Sequence, residues 1–168
     1  MVWWKWFRNT TGQTLLPQLR RPVVPAAERN PHMIFPALVG AGLALAIGIF
    51  ATVVRLDRDR AFYPTVAIVI ALLYCLFAAI GGSARALVLE AVVGVGFITL
   101  AVIGFRKSLW LVAAALALHG VFDSVHGSFI ANPGVPSWWP PFCLTYDVVA
   151  AGYLAWLIVR RRRVGVSA

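Results

Sequence analysis

Five runs of apolar residues separated by short polar breaks organise most of the chain: residues 34–54, 62–80, 86–105, 109–130 and 141–159. Each has about the 17–25 residues that a helix needs to cross some 30 Å of hydrocarbon. Lipid offers no water to open backbone groups, so each run must be helical. The pattern predicts an all-α, polytopic transmembrane helical bundle of five spans. It forms one domain over residues 34–160, followed by a basic tail at 161–168.

The breaks read as loops. Residues 55–60, Arg-Leu-Asp-Arg-Asp-Arg, form a charged, solvated turn. Gly81-Gly82-Ser83 is a tight turn, too short for a phosphate loop and without its helix-opening context. Asn132-Pro133-Gly134 favours a turn with proline at i+1 and glycine at i+2, and Pro140 or Pro141 suits the first position of a helix. This loop should be stiff, with Trp138 and Trp139 either belt residues at the membrane interface or a roof over what lies beneath. On the first span Gly40, Ala44 and Gly48 recur every fourth residue, a stripe that lets another helix approach closely. A homo-oligomer stays open.

Before the first span the chain changes character. Met1 to Arg8 alternates Trp3, Trp4, Trp6 and Phe7 with Lys5 and Arg8, and residues 9–32 are polar and proline-rich. The apolar core of a secretory signal is missing. Two readings stand: an interfacial anchor with its cations at the headgroups, or a disordered or mis-called extension, residues 1–33, ahead of a true initiator at Met33.

Composition agrees with the pattern. Charged residues make up 12% and mean hydropathy is +0.82, against about 25% charged in an ordinary soluble domain; this is an integral membrane protein whose partner is the lipid bilayer. The net charge of +9 would point to nucleic acid in a soluble chain. Here Arg55, Arg58, Arg60, Arg106, Lys107 and Arg160 to Arg163 all flank the membrane on one side. Beyond these membrane-flanking charges no basic face interleaved with exposed aromatics is seen, which argues against nucleic acid as a partner. By the positive-inside rule that side is cytoplasmic, with the N-terminus outside and the C-terminus inside.

Ionisable residues inside the spans carry the candidate chemistry, because such groups at bilayer depth are costly and mark functional sites. His119, Asp123 and His126 are spaced i, i+4, i+7, within about 60° on one helical face. Asp147 interrupts the next span, and Glu90 lies a little inside the third. At about 1.5 Å per residue, Asp123 and Asp147 both sit about 10 Å below the outer helix ends, with His126 and Glu90 nearer 6–8 Å and His119 near the midplane. Joined by a short loop, the fourth and fifth spans should bring the two aspartates together.

Three states would stabilise such a cluster. A divalent transition metal, zinc, iron or manganese, suits His119, Asp123, His126 and Asp147 as ligands. Without metal, one carboxyl would hold a proton and bond to a histidine. Water entering from outside would make the residues an ion or proton path. Cys75 and Cys143 lie at similar depth and read as buried free thiols, with one disulfide as the alternative.

The run His119-Gly-Val-Phe-Asp123-Ser-Val-His126, then Asn132-Pro-Gly-Val-Pro-Ser-Trp-Trp-Pro-Pro-Phe-Cys143 and Asp147, resembles a family of small bacterial integral membrane proteins of unknown function, over residues 62–159. The resemblance implies a shared fold and polar site in a bacterial inner membrane, and no activity. A looser likeness is chemical. The alkaline ceramidase and progestin-receptor hydrolases build a zinc site from three histidines, an aspartate and a serine, and Ser83, His119, Asp123, His126 and Asp147 supply similar groups. That superfamily has seven helices and an HxxxH pair, which this chain lacks. The expected function is a metal-dependent membrane hydrolase for a lipid or amphipathic substrate, with Glu90 or Asp147 as catalytic base. The alternatives are a proton or cation carrier and a non-catalytic protein with a structural polar core.

Overall fold

The computed structural model describes residues 31–166. Its helices are α1 Pro31–Val53, α2 Phe62–Ile80, α3 Ala84–Arg106, α4 Leu109–Phe129 and α5 Trp139–Val166, with one 3-10 turn at Leu56–Arg58. Among the described residues there is no strand, and all five helices are long and apolar enough to cross a membrane. The chain is a helical, multi-pass membrane protein. Large apolar side chains such as Phe35, Ile80, Val92 and Phe129 stand on the outer surface, as faces turned to hydrocarbon should.

The helices follow the apolar runs closely and depart from them at the ends. α2 has the expected bounds. α5 begins at Trp139, with Pro140 and Pro141 in its first turn, where their missing N–H groups cost nothing. It then runs on to Val166, so residues 161–166, expected to form a separate tail, are helical. Arginine is a good helix former, and hydropathy marks where the bilayer ends rather than where the helix does. Trp3, Trp4, Trp6 and Phe7 lie outside the described residues, whereas Met33 lies within α1.

α5 packs between α1 and α4, and α3 between α2 and α4, with lesser contact of α2 on α4. The stripe on α1 explains its docking on α5. Ala44 is buried, Gly40 lies against the Phe142 carbonyl, and a Cβ at Gly48 would lie 2.9 Å from the Tyr153 ring. Thr145 Oγ1 reinforces the contact by donating to the Ala37 carbonyl at 2.7 Å.

One loop differs in kind from its expectation. The 55–60 run is not a simple solvated turn, because Asp57 within it is buried. Thr52 Oγ1 donates to Asp57 Oδ2 at 3.0 Å, and Arg161 lies 3.2 Å from the same oxygen while donating to the Asp57 carbonyl at 2.8 Å. The continuation of α5 as a helix is what carries Arg161 to this place. A residue 104 positions away leaves no mark on the local pattern.

Candidate functional site

Apart from Asp57, the buried polar residues gather in the half of the bundle away from Arg55, Arg58, Arg60, Lys107 and Arg160 to Arg163. Glu90, His119, Asp123, His126 and Asp147 are all buried, and Asp147 has 0% of its surface exposed. They come from α3, α4 and α5, joined by Tyr74 of α2 and Asn132 of the α4–α5 loop. Gly120 allows this convergence. A Cβ there would lie 3.1 Å from the Leu144 carbonyl and 3.3 Å from Asp147 Cβ, so glycine lets α4 and α5 meet beside His119.

The cluster divides into two sets. In the inner one, His119 Nδ1 lies 2.7 Å from Asp147 Oδ2 and 3.6 Å from Asp123 Oδ2. Cys143 Sγ lies 3.9 Å from Asp147 Oδ2. One ligand atom from each of His119, Asp123, Cys143 and Asp147 falls within 4.8 Å of the others. Tyr74 Oη donates to Asp123 Oδ1 at 2.7 Å. Asp123 Oδ2 and Asp147 Oδ1, both buried, have no hydrogen-bond partner. A buried carboxylate oxygen left unpaired costs about 1–3 kcal/mol or more, so one on each of two clustered aspartates calls for a proton or a cation.

These donors fit a metal. Tetrahedral zinc, with bonds of about 2.0–2.3 Å, places neighbouring donor atoms roughly 3.3–3.8 Å apart. The observed separations straddle that value, so shifts of about 1 Å or less would gather the four around a common centre. One imidazole, two carboxylates and a thiol suit zinc chemically, and the oxygen and nitrogen donors alone suit iron or manganese.

In the outer set, His126 Nε2 lies 2.7 Å from Glu90 Oε1, and Asn132 Nδ2 donates to the same oxygen at 2.9 Å and to the Tyr74 carbonyl at 3.1 Å. The Tyr74 ring stacks on His126 with centroids 4.0 Å apart. Tyr74 thus touches both sets, by its hydroxyl, ring and carbonyl. His126 faces α3 and Glu90, and is not among the four residues that share the inner point. Seven residues along a helix is a rise of about 10 Å, which sets His126 along α4 from His119 and beside Glu90.

The structure adds Tyr74, Asn132 and Cys143 to the residues expected. Cys143 is i−4 from Asp147 and so on its face, a spacing that points to it. Tyr74 lies on the buried face of α2, where a tyrosine hydroxyl needs a partner. Asn132, read as a turn former, does both jobs: its Oδ1 accepts from the Gly134 N–H at 3.2 Å while its amide reaches Glu90. Ser83 caps α3, accepting from the Ala86 N–H at 3.2 Å. Cys75 and Cys143 are free thiols. Trp138 is exposed, as a belt residue would be, whereas Trp139 packs inward on Phe77 with centroids 4.8 Å apart.

An apolar groove of about 420 Å³ reaches the edge of the inner set. Leu43 and Ile47 of α1, Val66 and Ile70 of α2, and Phe142 and Cys143 of α5 are among its walls. On the arginine side of the cluster, Val112, Leu116, Leu154 and Leu157 fill the core. No family model, curated protein or solved structure matches the chain.

Proposed function

We propose that the chain is a metal-dependent membrane hydrolase acting on a lipid or other amphipathic substrate, with a divalent transition metal held by His119, Asp123 and Asp147. The observation that carries this reading is the meeting of buried His119, Asp123, Cys143 and Asp147, with one oxygen of each aspartate left without a hydrogen-bond partner. A bound metal would supply Lewis-acid polarisation and acidify water. Asp147 lies against His119 and Tyr74 orients Asp123, while Glu90, joined to Tyr74 through Asn132 and His126, would accept a proton from water that the metal acidifies. The groove supports the substrate class, because an acyl chain lying in it would end beside Cys143. The arginine-bearing end faces the cytoplasm in this reading, and a reporter fused after Arg163 is expected to be cytoplasmic; an external reporter reverses the orientation.

A proton or cation carrier is the second reading. The ladder of Glu90 with His126, Tyr74 with Asp123 and His119 with Asp147 favours it. The apolar core beyond Asp147 favours a closed site instead. Elemental analysis of detergent-purified protein, beside turnover of a fluorogenic lipid ester, separates the two. Roughly one metal per chain is expected, and Glu90→Gln should keep it while lowering turnover about 10²–10⁴-fold. Protein free of transition metal at any stoichiometry sinks the hydrolase. Ion flux in proteoliposomes with no substrate consumed selects the carrier.

A further inference from the structure

At the opposite end of α4 from the polar cluster, a cavity of about 310 Å³ opens beside the α3–α4 turn and α5. A single water needs only about 10–15 Å³ by the same measure. Four cations, Arg60, Lys107, Arg161 and Arg162, share its wall with two carboxylates, Asp57 and Asp59. Asp57 is paired within the wall with Arg161 and also accepts from Thr52, and Asp59 Oδ1 accepts the Ala61 N–H at 2.9 Å. Arg60, Lys107 and Arg162 are therefore left without a carboxylate partner among the described residues.

Two further features of the wall ask for an anion. The Tyr63 hydroxyl is buried and has no hydrogen-bond partner; a buried donor left so is costly. Ser108, Leu109 and Trp110 bring the start of α4 to the cavity; Ser108 Oγ accepts the Trp110 N–H at 3.4 Å, and the helix end adds its partial positive charge. Uncompensated cations, an orphaned hydroxyl and a helix start together match the oxygens of a phosphate group. Exposed Trp110 at the end of the span sets the cavity at headgroup level.

We infer that this cavity binds a phosphate group, carried by the headgroup of an anionic lipid or by a soluble phosphate ester, and that it is a second site independent of the metal reading. The test uses the full chain in detergent, with bound lipid counted by native mass spectrometry and thermal shifts measured against phosphatidylglycerol, phosphatidylcholine and inorganic phosphate. Phosphatidylglycerol should bind in preference to phosphatidylcholine. Lys107→Gln with Arg162→Gln should weaken that binding roughly 10- to 30-fold, from the worth of each basic residue at a lipid surface. Arg85→Gln removes a charge at the opposite end of α3, away from the cavity, and should leave binding unchanged. Tyr63→Phe, which removes no existing bond, should weaken it several-fold. A response to phosphatidylglycerol alone assigns a headgroup, and a shift with inorganic phosphate that the cavity variants lose assigns a soluble phosphate. Equal binding of the two lipids with no phosphate effect overturns the site, as does a loss in Arg85→Gln equal to that in the double variant.

Discussion

Asp147→Asn is expected to remove the metal from the protein, lowering affinity by more than the roughly 10–100-fold that loss of an outer partner costs. The amide is nearly isosteric and can still bond to His119, so the helix contact survives while the anionic ligand is gone. His126→Ala is the contrasting substitution. It leaves Glu90 with Asn132 alone, outside the inner set, and should retain metal at reduced affinity. Metal content measured on both variants decides the matter. Unchanged stoichiometry in Asp147→Asn would place any ion elsewhere, and complete loss in His126→Ala with none in Asp147→Asn would invert the two sets.

Gly134→Ala is expected to destabilise the fold more than any other single added methyl, with a fall in the thermal midpoint on the order of 10 °C. A Cβ at this position meets the Phe77 carbonyl directly and comes 3.0 Å from the Gly81 N. Neither neighbour can yield, since the Gly81 N–H already bonds the same Phe77 oxygen at 2.8 Å. The loop must lift, and Asn132 lifts with it, withdrawing a donor from buried Glu90. Overpacking of about 1–3 kcal/mol and a weakened buried carboxylate of similar worth add together. Gly127→Ala is the control. A Cβ there meets nothing within 4 Å, and alanine is the better helix former. Equal midpoints for the two variants would show that the loop is not braced against α2.

Periodic and local features are legible in the chain. The five spans can be read because hydropathy acts on every residue of a helix, and the bounds of α2 match its apolar run to the residue. Glu90, His119, Asp123, His126 and Asp147 stand out because an ionisable group in an apolar run is costly unless something pairs with it, and all five are buried. Their division into two sets is harder to see. Angular phase puts His126 with His119, but axial rise separates them, and the rise has to be weighed against the few ångströms that one ion can span. Tyr74 is hidden in the sequence because tyrosine is common at membrane boundaries, and its hydroxyl gains meaning only from Asp123 on another helix. Asn132 already has a sufficient local role in its turn. Asp57 and Arg161 come from opposite ends of the bundle's sequence, and no local rule connects them.

The partners of α4 bear on how the protein enters its membrane. α4 is the least hydropathic of the five spans and carries His119, Asp123 and His126. An aspartate at the centre of an isolated helix costs about 2.5–3.5 kcal/mol on insertion. Glu90 comes from the helix before α4, Asp147 from the helix after it, and Tyr74 from one earlier still. A nascent α4 released into lipid by itself would meet none of them. Residues 74–147 therefore need to leave the insertion machinery as a group, with α4 held until α5 has been made, so that its polar face passes from protein to protein without facing hydrocarbon.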